Sequence, residues 1–416
     1  MGRAVSLPFL CAELARATGA EAVLAARSWG PEAATEARVA AALAGLGVAF
    51  QSHAGLLLHD PERLTTRSGT PYGVFTPFWN TLVKTVDPGR PEPAPTRVPA
   101  PPTLPASERL EDWALRPSAP DWAAGLRAAW TPGEASAQER LDAFLAAGLE
   151  GYADLRDRPD RPATSKLAPS LAWGEISPRQ IWSACQMRPP SPGREGFLRQ
   201  LGWREFCYHG LHRFPDMAER PLKAPFARFP WAGPEESQAA LARWRRGLTG
   251  YPLVDAGMRA LWATGWMHNR VRMVVASFLV KHLLVDWRAG LAWFHDTLVD
   301  ADPANNPAGW QWVAGCGSDA APYFRIFNPV TQAERFDPEG AYVRRWVPEL
   351  ARLPAPVIHR PWTASALDLA AAGVRLGQNY PRPQVDHPQA RARALAALAS
   401  LDEGRKGQEK QHGELF

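Results

Sequence analysis

Cysteine is scarce: Cys11, Cys185, Cys207 and Cys316 are the only four in 416 residues, and no two form a C-x-x-C pair. That scatter argues against a disulfide framework or a zinc site and fits a reducing compartment. No apolar run approaches the roughly 18 residues of a membrane-spanning helix. Met1 to Leu10 lacks the charged start and long apolar stretch of a secretory leader. These absences predict a soluble, cytoplasmic protein. Nucleotide-binding fingerprints are missing too. Gly45-Leu46-Gly47 lacks a third glycine and closes a helix instead of opening one. No Walker loop, H-E-x-x-H or G-x-S-x-G occurs, so any nucleotide cofactor must be held in another way. No metal ligand set is expected.

What is present reads as globular. Hydrophobic residues make up 46% and charged residues 21%, and a chain of this length buries a large core unaided. At roughly 100–200 residues per domain, two or three domains are expected. Lys+Arg 47 against Asp+Glu 42 gives a net charge of +5. This mildly basic balance permits a nucleic-acid partner without requiring one. Tryptophan (18) outnumbers both phenylalanine (16) and tyrosine (7). Most of these indoles suit a buried helical core, although redox relays and base-stacking platforms also use tryptophan.

Periodicity predicts an α/β beginning: a helix over 7–17, a strand over 21–25, a helix over 33–46 and a strand over 48–51. Prolines recur from about Thr85 to Ser107, a stretch that holds neither helix nor sheet and reads as a surface linker. From Leu110 onward the pattern is helical. It includes a proline-started helix after Ser177, a helix over 255–261, a long one over 267–284 and an amphipathic one over 387–401. The organisation expected is an α/β unit at 1–84, a linker at 85–109, a helical domain at 110–402 and a polar, frayed tail at 403–416.

Three segments are dense in chemistry-bearing side chains. In Tyr152–Ser177, Thr164 and Ser165 place hydroxyls and free N–H groups ahead of a helix, suiting either a phosphate or an N-cap. In Trp266–Met273, Asn269 and Met273 share a helix face, while Arg270 and Arg272 point about 200° apart and must answer to different partners. Polar groups opening an apolar helix are unfavourable unless paired. In Asp300–Asn328, Asp300 and Asp302 precede Asn305-Asn306 and the Trp310/Trp312 pair, without the spacing of a calcium loop.

The segments WMHNRVRM at Trp266–Met273, DWR at Asp286–Arg288, Asp300 through Asn328 and GQNYPRPQVDH at Gly377–His387 resemble the photolyase/cryptochrome family. Within it they look most like class I cyclobutane pyrimidine dimer photolyases, from about Tyr152 to His387. The resemblance implies an incomplete Rossmann-like α/β domain joined by the Pro-rich linker to a helical domain that binds FAD in a U shape. The family's opening strand is not matched, so an antenna chromophore, folate or deazaflavin, is not carried over.

Residue by residue, the resemblance implies FAD contacts at Tyr152, Thr164, Ser165, Lys166, Leu167 and Ala168, the last standing where the family has a serine. It implies further contacts at Arg272, Asp300, Ala301, Asp302 and Asn306, with Asp300 the natural partner of Arg272. Asn306 is the amide beside the reactive flavin nitrogen, and Trp310, Trp287 and Trp231 match a tryptophan relay. Gln200, Trp203, Asn269, Arg270, Met273 and Trp312 match the lesion pocket, with Arg270 on the lesion side. Gln200 replaces a common glutamate.

The function implied is splitting of cyclobutane dimers in UV-damaged DNA by electron transfer from excited reduced FAD, in a monomer. The helical domain is expected to hold FAD independently of the N-terminal half. A cryptochrome-like sensor, a (6-4)-type enzyme and a silent helical scaffold are the rival readings.

Overall fold

The computed structural model describes residues 6–53, 55–319 and 324–413, with side chains through Leu401. The α/β beginning is as expected. Helix Leu7–Thr18 ends at Gly19, whose φ of 64° is the left-handed geometry that glycine adopts without strain. Strand β1 (Ala22–Ala26) and strand β2 (Ala49–His53) pair in parallel, Ala22 opposite Ala49 and Ala26 opposite His53. Helix Ala33–Ala44 makes the crossover. One face of this unit is closed by Ala15, Val39 and Leu43 with Val23 and Phe50. The opposite face leaves Leu24 65% exposed.

Between this unit and the linker lies a helix that the sequence did not announce, Phe75–Thr85. It packs against helix Pro192–Arg213 through Phe75, Phe78, Leu82 and Phe206. Buried polar bonds reinforce that seam. Glu205 is fully buried and accepts from the Leu58 N–H at 2.9 Å and from His59 Nδ1 at 3.0 Å. Arg204 donates to the Leu56 carbonyl at 2.6 Å, and the Tyr72 N–H donates to His209 Nε2 at 3.0 Å. Residues 56–85 are therefore packed into the helical body. A buried carboxylate deprived of such donors is strongly destabilising.

The larger core of the body gathers Trp244, Val254, Val271, Val274, Val275, Phe278, Trp287, Trp310 and Val343. Each fully buried aliphatic or aromatic side chain contributes about 1.5–3 kcal/mol. A second core forms around Leu141, Phe144, Tyr152, Leu167, Ile181 and Phe197. The long helix expected over 267–284 is helix Asn269–Ser277 followed by a wide π turn, Phe278–His282. The expected helix at 255–261 is longer, Pro252–Thr264. Ser177 forms a full capping box with Gln180.

The GQNYP segment is anchored by Tyr380. Its hydroxyl donates to Asp255 Oδ2 at 2.8 Å, while Thr249 Oγ1 donates to Asp255 Oδ1 at 2.6 Å. At the C-terminus, helix His387–Gly413 runs through the region expected to be a frayed tail, whose side chains lie outside the described residues. Among the described residues, no helix is long and apolar enough to cross a membrane.

Candidate functional site

A cavity of about 420 Å³ opens between helix Pro192–Arg213 and the helices of the larger core. Three helices supply much of its wall. Helix Pro192–Arg213 contributes Gln200, Trp203, Phe206 and Cys207; the Asn269–Ser277 helix contributes Asn269, Arg272 and Met273; the Asn305–Ala314 helix contributes Asn306, Trp310 and Trp312. Of the residues singled out from sequence, Gln200, Trp203, Asn269, Met273, Arg272, Asp300, Asn306, Trp310 and Trp312 share this one cavity.

The two arginines of the Asn269–Ser277 helix do answer to different partners. Arg272 Nη2 reaches both oxygens of Asp300, at 3.0 and 2.8 Å, and its Nε donates to the Met267 carbonyl at 2.7 Å. Asp300 is 8% exposed, so the pair is charge-assisted and largely shielded from water. Arg270 turns away: its Nη2 donates to Asp157 at 2.7 Å, and its guanidinium lies 4.4 Å from the Phe336 ring centre. Arg270 is not among the residues lining the cavity. The arginine on the wall is Arg156, whose Nη2 donates to Gln200 Oε1 at 3.1 Å. The Gln200 amide nitrogen in turn donates to the Gly196 carbonyl at 3.1 Å.

His268 caps the Asn269–Ser277 helix, its Nδ1 accepting from the Arg270 N–H at 3.2 Å. Burial pushes its pKa down to about 4, so at neutral pH it is an uncharged acceptor. Cys207 lines the cavity, and burial, assisted by the charge of Asp302, pushes its thiol up to about 12. It is a protonated, inert wall group.

Other expected contacts stand elsewhere. Asp302 is buried off the cavity and caps the Asn305–Ala314 helix, its Oδ1 accepting from the N–H groups of Ala304 at 2.8 Å and Asn305 at 2.7 Å. The Tyr208 hydroxyl donates to its other oxygen at 3.0 Å. Ala301 is half-buried beside it, also off the wall. Tyr152 is packed edge-on against Phe144 and Phe197. Thr164, Ser165, Lys166, Leu167 and Ala168 form the turn before the short helix Ala168–Ala172, where Ser165 Oγ accepts from the Leu167 N–H at 3.4 Å. Leu167 is buried and Ala168 exposed, and none of the five lines the cavity.

Trp310 is 2% exposed, with Phe294 at 5.0 Å and Trp244 at 6.3 Å between ring centres, both edge-to-face. Trp287 is buried in the same core, and Trp231 is half-buried beside Phe229. Neither touches the cavity.

A profile for the FAD binding domain of DNA photolyase matches residues 197–400, and one for DNA photolyase matches residues 6–101. The deoxyribodipyrimidine photo-lyase of Agrobacterium fabrum is 50% identical over 393 residues, spanning 94% of this chain and 81% of that one. The chain belongs to the photolyase/cryptochrome family. A solved bacterial class III photolyase from Agrobacterium tumefaciens superposes with a TM-score of 0.92 at 48% identity, covering 96% of this chain and 83% of its own. The Synechocystis cryptochrome superposes with a TM-score of 0.76 at 31% identity, over 93% of this chain and 81% of that one. Sequence motifs pointed to class I, whereas the solved photolyase at 48% identity is a class III enzyme.

FAD is the cofactor that the family profile implies, and the walls fit it. The cavity is within the ~300–1,000 Å³ usual for cofactor sites and pairs apolar walls with a few convergent polar groups. The Trp310 Nε1 is a buried donor without a protein partner, and the Arg272–Asp300 pair lies beside it on the same wall.

Sequence reasoning missed Arg156, although it lies inside the flagged Tyr152–Ser177 stretch. It also missed Phe75, which stacks behind Trp203 and carried no signal at all.

Proposed function

We propose that this chain is a light-dependent deoxyribodipyrimidine photo-lyase that binds UV-damaged DNA and restores dimerised pyrimidines. One observation carries the reading: residues matched to the flavin side (Arg272, Asp300, Asn306, Trp310) and to the lesion side (Gln200, Trp203, Asn269, Met273, Trp312) line a single cavity. Bound FAD supplies the light-excited electron donor and recovers the electron, so two carbon–carbon bonds open without net redox change.

The chain's own residues bind, orient and exclude water. Arg272 is held by Asp300 and the Met267 carbonyl, which leaves its charge fixed and directed along the wall. Asn306 donates to the Leu291 carbonyl at 3.3 Å, which orients its amide at the cavity edge. Trp203 and Trp312 offer flat faces for the two linked pyrimidines taken out of the stack, and Asn269, Gln200 and Arg156 offer donors for their carbonyl edges. Trp310, buried, in ring contact with the core and on the cavity wall, is the relay residue that would refill the flavin.

Blue-light repair of a dimer-containing duplex by the purified chain, read with its visible flavin spectrum, tests the proposal. Flavin with no repair would favour a cryptochrome-like sensor. A colourless, inactive protein would leave only a helical scaffold.

A further inference from the structure

Trp203 is half-buried on the cavity wall, so one face can be offered to a ligand only if the other is held. The holder is Phe75, whose ring centre lies 3.8 Å from that of Trp203 with planes 8° apart, while Phe75 is 1% exposed. Behind Phe75 the stack continues to Trp79 at 6.2 Å and 18°. Arg199 lies 5.1 Å from the Phe75 ring and 5.8 Å from that of Trp79. Gly202 belongs to the same arrangement. A Cβ there would come within 2.3 Å of the Trp79 ring, so only glycine lets helix Pro192–Arg213 approach closely enough for the stack to form.

Another indole of the wall, Trp312, is held differently: its Nε1 donates to the Asp319 carbonyl at 3.1 Å.

We infer that Phe75 is a positioning residue for lesion recognition, fixing the plane of Trp203 so that damaged DNA is distinguished from undamaged DNA. The inference rests on the reading above that Trp203 stacks on the extruded base. Phe75 reaches no ligand itself. A flat, stacked neighbour removes the χ2 freedom of Trp203, and a platform ordered in advance loses less entropy on binding.

The test is a double-mutant cycle on the full flavin-bound chain: Phe75→Leu, Trp203→Leu and both together, with affinity measured for dimer-containing and undamaged duplexes. In Phe75→Leu, affinity for damaged DNA should fall roughly tenfold, the size expected for loss of one base-stacking contact. Affinity for undamaged DNA, held by phosphate contacts, should stay constant. In the Trp203→Leu background, Phe75→Leu should change the ratio no further. A mere loss of packing would weaken both duplexes equally, or act additively in that background, and either result overturns the proposal. If Trp203→Leu keeps full discrimination, the lesion-side reading of Trp203 fails and takes this inference with it. If Trp203→Leu loses discrimination while Phe75→Leu keeps it, only the positioning role falls. Should Phe75→Leu not fold with flavin, Phe75→Met, apolar and of similar volume but without a flat face, is read in the same way.

Discussion

Replacing Glu205 should uncouple the N-terminal segment from the cavity. Helix Pro192–Arg213 presents Gln200, Trp203 and Cys207 to the cavity, while Glu205, on its other side, holds Leu58 and His59. Glu205→Ala leaves the Leu58 N–H and the His59 ring N–H without acceptors in a dry environment, each about 1–3 kcal/mol. It also deprives Arg204 of a carboxylate 3.6 Å away, its side chain only 9% exposed. Breaking one buried ion pair alone costs roughly 3–5 kcal/mol. Because these terms overlap, a loss of about 4–6 kcal/mol is expected, a large part of the 5–15 kcal/mol that stabilises a typical domain.

Glu205→Gln keeps one acceptor oxygen but turns an amide NH₂ toward Arg204, so an intermediate loss of about 2–3 kcal/mol is expected. Urea unfolding by circular dichroism measures both, and the flavin retained per chain reports whether the cavity survives. The order parent, Gln, Ala should hold for stability and for flavin content. An alanine variant within 1 kcal/mol of the parent, or a chain beginning at Leu110 that unfolds cooperatively with its flavin in place, would refute the reasoning, since both require the seam to be dispensable.

Four further outcomes follow from single side chains. Gln200→Ala frees the Arg156 guanidinium and removes an amide from the wall, so dimer repair should fall with flavin content unchanged, by about 1–3 kcal/mol in lesion affinity; unaltered repair in a titration with damaged duplex would remove Gln200 from the site. Trp310→Phe retains a ring of similar plane that is much harder to oxidise, so flavin photoreduction with external donor should slow sharply; an unchanged rate denies Trp310 its relay role. Arg270→Ala should leave the ratio of damaged to undamaged DNA affinity unchanged, because Arg270 is committed to Asp157 and is not among the cavity-lining residues; a loss confined to damaged DNA in salt-matched binding would place it on the lesion side. Burial lowers the Lys281 pKa to about 7 from 10.5. Between those values the unfolded chain holds a proton that the folded one lacks, so stability rises with pH at up to ~1.4 kcal/mol per unit. Relative to the parent, Lys281→Met should show a slope smaller by that amount in unfolding curves taken at pH 7 to 10.

Local signals carried the α/β beginning to within two residues or so. Gly19 and Gly47 punctuate it, and the second five-residue strand alternates in burial although the first, all apolar, does not. The same kind of signal failed for Phe75–Thr85, where Pro77 in the first turn and a Thr/Trp/Asn mixture blur the helical period. Motif resemblance located nine of the cavity-lining residues. Asp302, which caps the next helix, carries the same local signal, because a carboxylate that caps a helix and one that binds a ligand both sit just before a helix. Spacing likewise predicts that the two arginines diverge but not which one lines the cavity. The seam at Glu205 was illegible for a simpler reason. Its partners lie 146 and 147 positions away, and no window along the chain can see them.

The packing around Trp310 explains why the cavity wall holds so many indoles without closing on itself. A Cβ at Gly290 would come 2.1 Å from Trp310 Cη2, so the ring occupies a hollow that a glycine leaves in helix Trp287–Thr297. Gly202 makes the equivalent hollow for Trp79. In both places a large flat ring is seated by the missing side chain of a facing helix, and its plane is fixed by neighbouring rings rather than by hydrogen bonds. That arrangement leaves the Trp310 Nε1 donor unpaired among protein atoms, an unfavourable state for a buried N–H unless something else is to meet it. Rings locked by shape suit a pocket that must hold its geometry while its ligands come and go. Trp310 and Trp79 meet that demand as indoles, each a large rigid face with one directional donor at its rim.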